Sequence, residues 1–191
     1  MGNTNEMMIE FDAVGENEGF ARVVVAAFVS RLNPTLEELS DLKVAVSEAV
    51  TNAIIHGYDP KLKHAAMTNR EVGENTAAVT EQEAGENTAA VTEQEAGETP
   101  AAVTDHGTVQ LRVCITDHTV TVQVKDHGCG ITDVPQAMEP LFTTKPEEER
   151  SGMGFSFMEA FTDQLLVESE PGQGTCVTMV KTMGARDGQD D

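Results

Sequence analysis

The sequence predicts a domain of the α+β class. Two long helical patterns stand together in the N-terminal part, one opening near Glu16 and one near Thr35. After residue 108 the apolar residues switch to a period of two. One short helical pattern and two further strands close the chain. Helical and strand patterns thus stand in one chain.

Taken in order, Met7 to Ala13 reads as a first strand. Glu16 and Glu18 put acids at the start of a helix, where they complement its dipole. That helix runs to about Leu32. Phe20, Val23, Val24, Ala27 and Phe28 are expected to form its buried face, with Arg22 turned away from most of it. Asn33-Pro34 breaks the pattern. Thr35 followed by Glu38 is a capping box for a second helix, about Leu36 to His56, and Gly57 is expected to supply a left-handed residue that ends it.

From 59 to 107 the character changes. Gly-Glu-Asn-Thr-Ala-Ala-Val-Thr-Glu-Gln-Glu-Ala stands at 73–84 and again at 85–96, and a degenerate third copy begins at Gly97. Small residues and Glu dominate, without Leu, Ile or aromatic anchors in the repeats. Such a stretch buries too little to offset its ordering entropy. The expectation is one domain, residues 6–183, interrupted by a disordered insertion and followed by a frayed tail at 184–191.

Beyond it Val109, Leu111, Val113 and Ile115 alternate with polar residues. Asp117-His118 marks a tight turn, and Val120, Val122 and Val124 alternate again, which makes a hairpin with one buried face. Residues 132–151 read largely as loop, with prolines at 135, 140 and 146. A loop of this length inside a domain suits a lid or a binding segment. Gly152 to Phe155 opens a helix through about Phe161. Gln164 to Glu170 and Thr175 to Lys181 are the last strands.

Composition excludes several classes of function. Twelve basic residues face 33 acidic ones, a formal charge of −21, which opposes direct contact with nucleic acid. No apolar run is long enough to span a bilayer, and the first residues have no signal-peptide character. Cys114, Cys129 and Cys176 share no metal-type spacing and read as free thiols, so a cytoplasmic setting is expected.

Three pieces carry chemistry. Glu48, Asn52 and His56 stand at i, i+4 and i+8, on one helix face, while Val46, Val50, Ala53 and Ile54 fall on the other. The Asn oxygen can ligate a hard cation such as Mg²⁺. The Glu can take a proton from an attacking hydroxyl or hold the metal's water. The same spacing also suits an ordinary solvated helix face. Asp126-x-Gly128-x-Gly130 at a strand end offers a carboxylate to a purine amine, with glycines that let the base approach the backbone. Gly152-x-Gly154 ahead of a helix leaves N–H groups for phosphates. Each glycine pair alone signals a turn; in this order the three form a nucleotide site.

In that arrangement the chain resembles the ATP-binding family shared by DNA gyrase B, Hsp90, histidine kinases and MutL, and more closely its small anti-sigma serine kinases. The segment Glu48 to Gly57 is similar to the family's N box. Asp126 to Gly130 and Gly152 to Phe155 are similar to its two glycine boxes. Asn17 to Val23, Pro140 to Pro146 and Glu149 to Phe155 carry the closer likeness, which covers about residues 6–58 and 108–183. The resemblance implies a two-layer sandwich with helices on one face of a mixed sheet. It implies ATP with Mg²⁺, and transfer of a phosphoryl group to a serine of an anti-anti-sigma protein. It also implies a homodimer that sequesters a sporulation sigma factor, with no membrane and no direct nucleic-acid contact.

By that likeness Glu48 is the general base and Asn52 the Mg²⁺ ligand. Asp126 reads the adenine amino group, with Gly128 and Gly130 shaping its pocket. Thr143, Thr144, Lys145, Arg150, Ser151, Gly152, Met153 and Gly154 bind the cofactor, Gly152 and Gly154 presenting backbone amides to the phosphates and Lys145 and Arg150 reaching them from the lid. Glu18 and Arg22 meet the partner. His56, Cys129 and Met153 are expected to serve as pocket wall or packing. A nucleotide-gated binder without kinase activity is the alternative. The catalytic domain of a histidine kinase is disfavoured, because no phospho-accepting helical hairpin precedes the ATP domain. The insertion departs from the pattern of these relatives.

Overall fold

Alternation along five strands builds the core. The computed structural model describes residues 4–58, 107–142 and 152–184. Its strands are β1 (Thr4–Asp12), β2 (Thr108–Thr116), β3 (Thr119–Asp126), β4 (Gln164–Glu170) and β5 (Gly174–Thr182), in the sheet order β1-β2-β3-β5-β4. Every neighbouring pair is antiparallel, whereas the resemblance implied a mixed sheet. The hairpin β2–β3 turns at Asp117-His118 as its alternation requires, with Asp117 at a φ of 53°. Val109, Leu111, Val113, Ile115, Val120, Val122 and Val124 all point into the core and are 2% exposed or less. The opposite face carries the polar partners of the alternation and lies open.

The helices cover the first face. They are α1 (Glu16–Val29), α2 (Leu36–Asn52), α3 (Val134–Ala137) and α4 (Gly154–Phe161). The fold is therefore the α+β two-layer sandwich expected. The expected capping box starts α2: the Thr35 hydroxyl accepts from the Glu38 N–H at 3.1 Å, and the Glu38 carboxylate accepts from the Thr35 N–H at 2.6 Å.

Four local expectations are corrected. In α1 the buried stripe is Ala21, Val25 and Val29, while Phe20 and Val23 are 52% and 62% exposed and Ala27 also faces out. Residues 23–29 are apolar without a break, so periodicity does not choose a face there. The α2 helix does not run on unchanged to His56 but widens into a π-helical turn, Ala53–Gly57. Gly57 does not have a left-handed conformation; its smallness serves the site described below. Within 132–151, residues Val134–Ala137 form the short helix α3, capped by the Asp133 carboxylate on the Gln136 N–H at 2.9 Å. The 12-residue repeats and the tail beyond 184 lie outside the described residues.

Candidate functional site

A cavity of about 780 Å³ opens between the end of α2, the start of α4, and the ends of β3 and β5. Glu48, Asn52 and His56 line one side of it, as their shared helix face requires. The core side of the same helix is also as expected: Val46, Val50 and Ala53 are buried and Ile54 packs against the core.

Opposite Glu48 and Asn52 stands the start of α4. Gly154 packs so closely that a Cβ there would come within 3.1 Å of Glu48 Oε2 and 3.3 Å of Asn52 Nδ2. The carboxylate, the carboxamide and the first amides of α4 thus meet at one place, though they come from segments about 100 residues apart. Gly152 adopts a φ of 63°, and a Cβ there would run into the backbone of Leu141 and Phe142. Met153 also lines the cavity. Hard oxygens beside the N–H groups of a helix start fit a Mg²⁺-bound polyphosphate: the metal takes oxygen ligands and the helix start takes the anion. Among the described residues no cluster of three His, Cys, Asp or Glu could hold a metal alone. A cation here would draw on Asn52 and on oxygens brought by its ligand.

At the other end lies Asp126, 3% exposed. Its Oδ1 accepts from the Gly128 N–H at 2.9 Å and from the Thr175 N–H at 3.3 Å. Burial pushes the carboxyl upward from its ordinary range, and those two backbone bonds pull it back only in part. Glycines permit this burial. A Cβ on Gly57 would stand 2.9 Å from Asp126 Oδ1, and one on Gly174 would fall on the Asp126 carbonyl. Gly130, at a φ of 69°, lines the cavity where a Cβ would meet the Glu170 carbonyl.

Gly128 does not line the cavity. It packs beneath the wall, where a Cβ would overlap the Gly57 carbonyl, the same oxygen that accepts from the Cys129 N–H at 2.8 Å. Backbone against backbone cannot relax by a rotamer change. Gly128→Ala is therefore expected to lower stability by about 1–3 kcal/mol and to separate the glycine loop from the π turn. Chemical denaturation checks the first effect and nucleotide titration the second.

Cys129 is buried and free, with its thiol donating to the His56 carbonyl at 3.1 Å; Cys114 and Cys176 are half-buried and free. His56 and Met153 are wall, and Cys129 is packing. Thr143, Thr144, Lys145, Arg150 and Ser151 lie outside the described residues. Arg22 and Glu18 do not line the cavity, but Arg22 reaches Ser47, which does, and neither is a loose surface charge. The guanidinium lies 3.4 Å from Glu18 and donates to the Ser47 hydroxyl at 3.4 Å. Sequence reasoning missed Thr175, which acts through its backbone N–H, and Phe142 and Phe155, which line the wall. The aromatic pair carried no spacing signal, and a backbone contact carries none by nature.

The family model for histidine kinase-, DNA gyrase B- and HSP90-like ATPases matches residues 37–184. An anti-sigma F factor of Thermoanaerobacter sp. (strain X514) is 40% identical over 185 residues, covering 97% of this chain and 99% of the relative. One from Pasteuria penetrans is 44% identical over 182 residues, 95% of this chain and 93% of the relative. One from Clostridium botulinum (strain Eklund 17B / Type B) is 42% identical over 177 residues, 93% and 94% of the two chains. Among solved structures, the RsbU and RsbW domains of Rv1364c from Mycobacterium tuberculosis share the fold, with a TM-score of 0.52 at 15% identity over 94% of this chain and 32% of that one. The chain belongs to the histidine kinase-, DNA gyrase B- and HSP90-like ATPase family, and within it to the anti-sigma F factors.

Proposed function

We propose that this protein is an anti-sigma factor that is also a serine protein kinase. It captures a sporulation sigma factor of the sigma F kind, and it uses ATP with Mg²⁺ to phosphorylate a serine of an anti-anti-sigma protein. The observation that carries the reading is the meeting of Glu48, Asn52 and the start of α4 around Gly154. Phosphoryl transfer asks mainly for positioning and charge neutralisation. When bound, Mg²⁺ supplies that neutralisation at the phosphates, held through Asn52. Glu48 orients the incoming serine hydroxyl and accepts its proton. The amides around Gly152 and Gly154 hold phosphate oxygens, and Asp126 accepts from the adenine amino group. By the family likeness Thr143, Thr144, Lys145, Arg150 and Ser151 also serve in nucleotide binding.

Incubation with ATP, Mg²⁺ and the candidate anti-anti-sigma protein should add the mass of one phosphate to that partner. Clear nucleotide binding with no gain of mass would leave a nucleotide-gated binder and remove the kinase.

The sigma factor is assigned to the outer face of α1. Phe20 and Val23 are exposed there beside Arg22 and Glu18. A homodimer presents this face twice. Arg22→Glu sets two carboxylates one helical turn apart in place of an ion pair. It is expected to weaken sigma binding by about tenfold or more, while the new like-charge pair costs the helix about 0.2–0.5 kcal/mol or somewhat more. Added salt should narrow the difference. Wild-type affinity in this variant at low salt would move the partner to another face.

A further inference from the structure

We infer that Tyr58 is a positioning residue of the nucleotide site, its phenol oxygen fixing the backbone on which Asp126 is carried. The inference rests on Asp126 being the group that reads adenine. Tyr58 directly follows the π turn and is the last described residue before 59–106; Gly107 is the first after it. The two lie against each other. Gly107 has a φ of 73°, and a Cβ there would fall on the Tyr58 ring, while its carbonyl accepts from the Ala13 N–H at 3.0 Å. The ring is thus seated on the start of β2.

The hydroxyl is placed where the sheet stops. Pairing of β2 with β3 ends at Val109 opposite Asp126. The next step would set Thr108 opposite His127. There the phenol oxygen stands between the strands, accepting from the His127 N–H at 2.9 Å and donating to the Thr108 carbonyl at 2.5 Å. It uses both its donor and its acceptor, and it holds the two backbones apart by the width of one oxygen.

Every other anchor of this loop comes from elsewhere. The Gly128 N–H goes to the Asp126 carboxylate at 2.9 Å and the Cys129 N–H to the Gly57 carbonyl at 2.8 Å. The Ile131 N–H goes to the Ser169 hydroxyl at 2.8 Å. The peptide adjoining Asp126 is held by Tyr58. Without the hydroxyl, the His127 N–H and the Thr108 carbonyl face each other unbridged. Either the loop loosens or the ladder closes one step further, and both movements carry the Asp126 carboxylate off its line.

Tyr58→Phe keeps the ring on Gly107 and removes only the bridge. Binding of ADP, and of inosine diphosphate, which lacks the 6-amino group, is measured by calorimetry on the full chain and on the variant. Amide exchange at His127 and the melting temperature are measured beside it. The expected result is a loss of ADP affinity of about three- to tenfold, the span of one hydrogen bond. Inosine diphosphate should lose less, so that the preference between the two narrows. The His127 amide should exchange faster, with little change in melting. A parent that prefers ADP, with a variant that keeps both affinity and preference, overturns this inference alone, whether or not the melting temperature drops. A parent that binds both nucleotides equally overturns the reading of Asp126 and this inference with it.

Discussion

Glu48→Gln is expected to slow phosphoryl transfer to the anti-anti-sigma protein by about 10²–10⁴-fold, the usual contribution of a positioned base. Nucleotide affinity should change by no more than about threefold, less than the loss of one typical hydrogen bond. The side chain faces the start of α4 and Asn52, not the purine end of the cavity. Gln keeps the volume beside Gly154, but it cannot take a proton. Single-turnover transfer measured by intact mass, with affinity from calorimetry, separates the two effects. Equal rates in variant and parent would remove Glu48 from its role.

Asp126→Asn is expected to act in the opposite sense, weakening ATP by about 10- to 100-fold while stabilising the nucleotide-free protein. The Asn oxygen can still accept from the Gly128 and Thr175 N–H groups. Its amide then turns a donor toward the adenine amino group, which is a donor as well. The stability gain follows from the raised pKa. A buried carboxyl that resists ionisation favours the fold most when both folded and unfolded chains are protonated. That advantage is lost as pH rises from the ordinary aspartate value of 3.8 through the higher folded value. Asn has no such loss. The variant should therefore melt above the parent at neutral pH, with the gap closing below the ordinary value. Parent affinity for ATP should fall on acidification at a higher pH than an exposed aspartate would give. A variant that melts below the parent at neutral pH would show that the carboxylate is not a burden to the fold.

The site was legible in the sequence to the extent that side chains carry it. Glu48 and Asn52 share a face because the helix period places them there, and Val46 and Val50 confirm the face by being apolar. The hairpin was legible because seven alternating residues point one way. The glycines announced turns but not their purposes. Gly57 and Gly128 matter because two backbones touch at them, a relation between distant segments that no local pattern contains. Burial on α1 was misread because a helix apolar on most sides gives no direction. Thr175 and Tyr58 escaped notice since each acts on or through a backbone group, and residue type does not record that. Strand direction in the sheet is likewise a property of the connections and not of any strand.

The two sheet edges also limit how this protein can meet its own kind. Among the described residues, strands β1 and β4 are outermost, and each leaves one side of its backbone without a neighbouring strand. Each also shows one bare apolar side chain on the open face, Met8 at 66% and Leu166 at 55% exposure. Both sit among acids: Glu6, Glu10 and Asp12 on β1, Glu168 and Glu170 on β4. An antiparallel union of two β1 edges centred on Met8 would set Glu6 opposite Glu10 twice over. Like charges directly across a strand pair repel, and such acids guard against chains adding edge to edge. Continuous sheets across molecules are thereby discouraged.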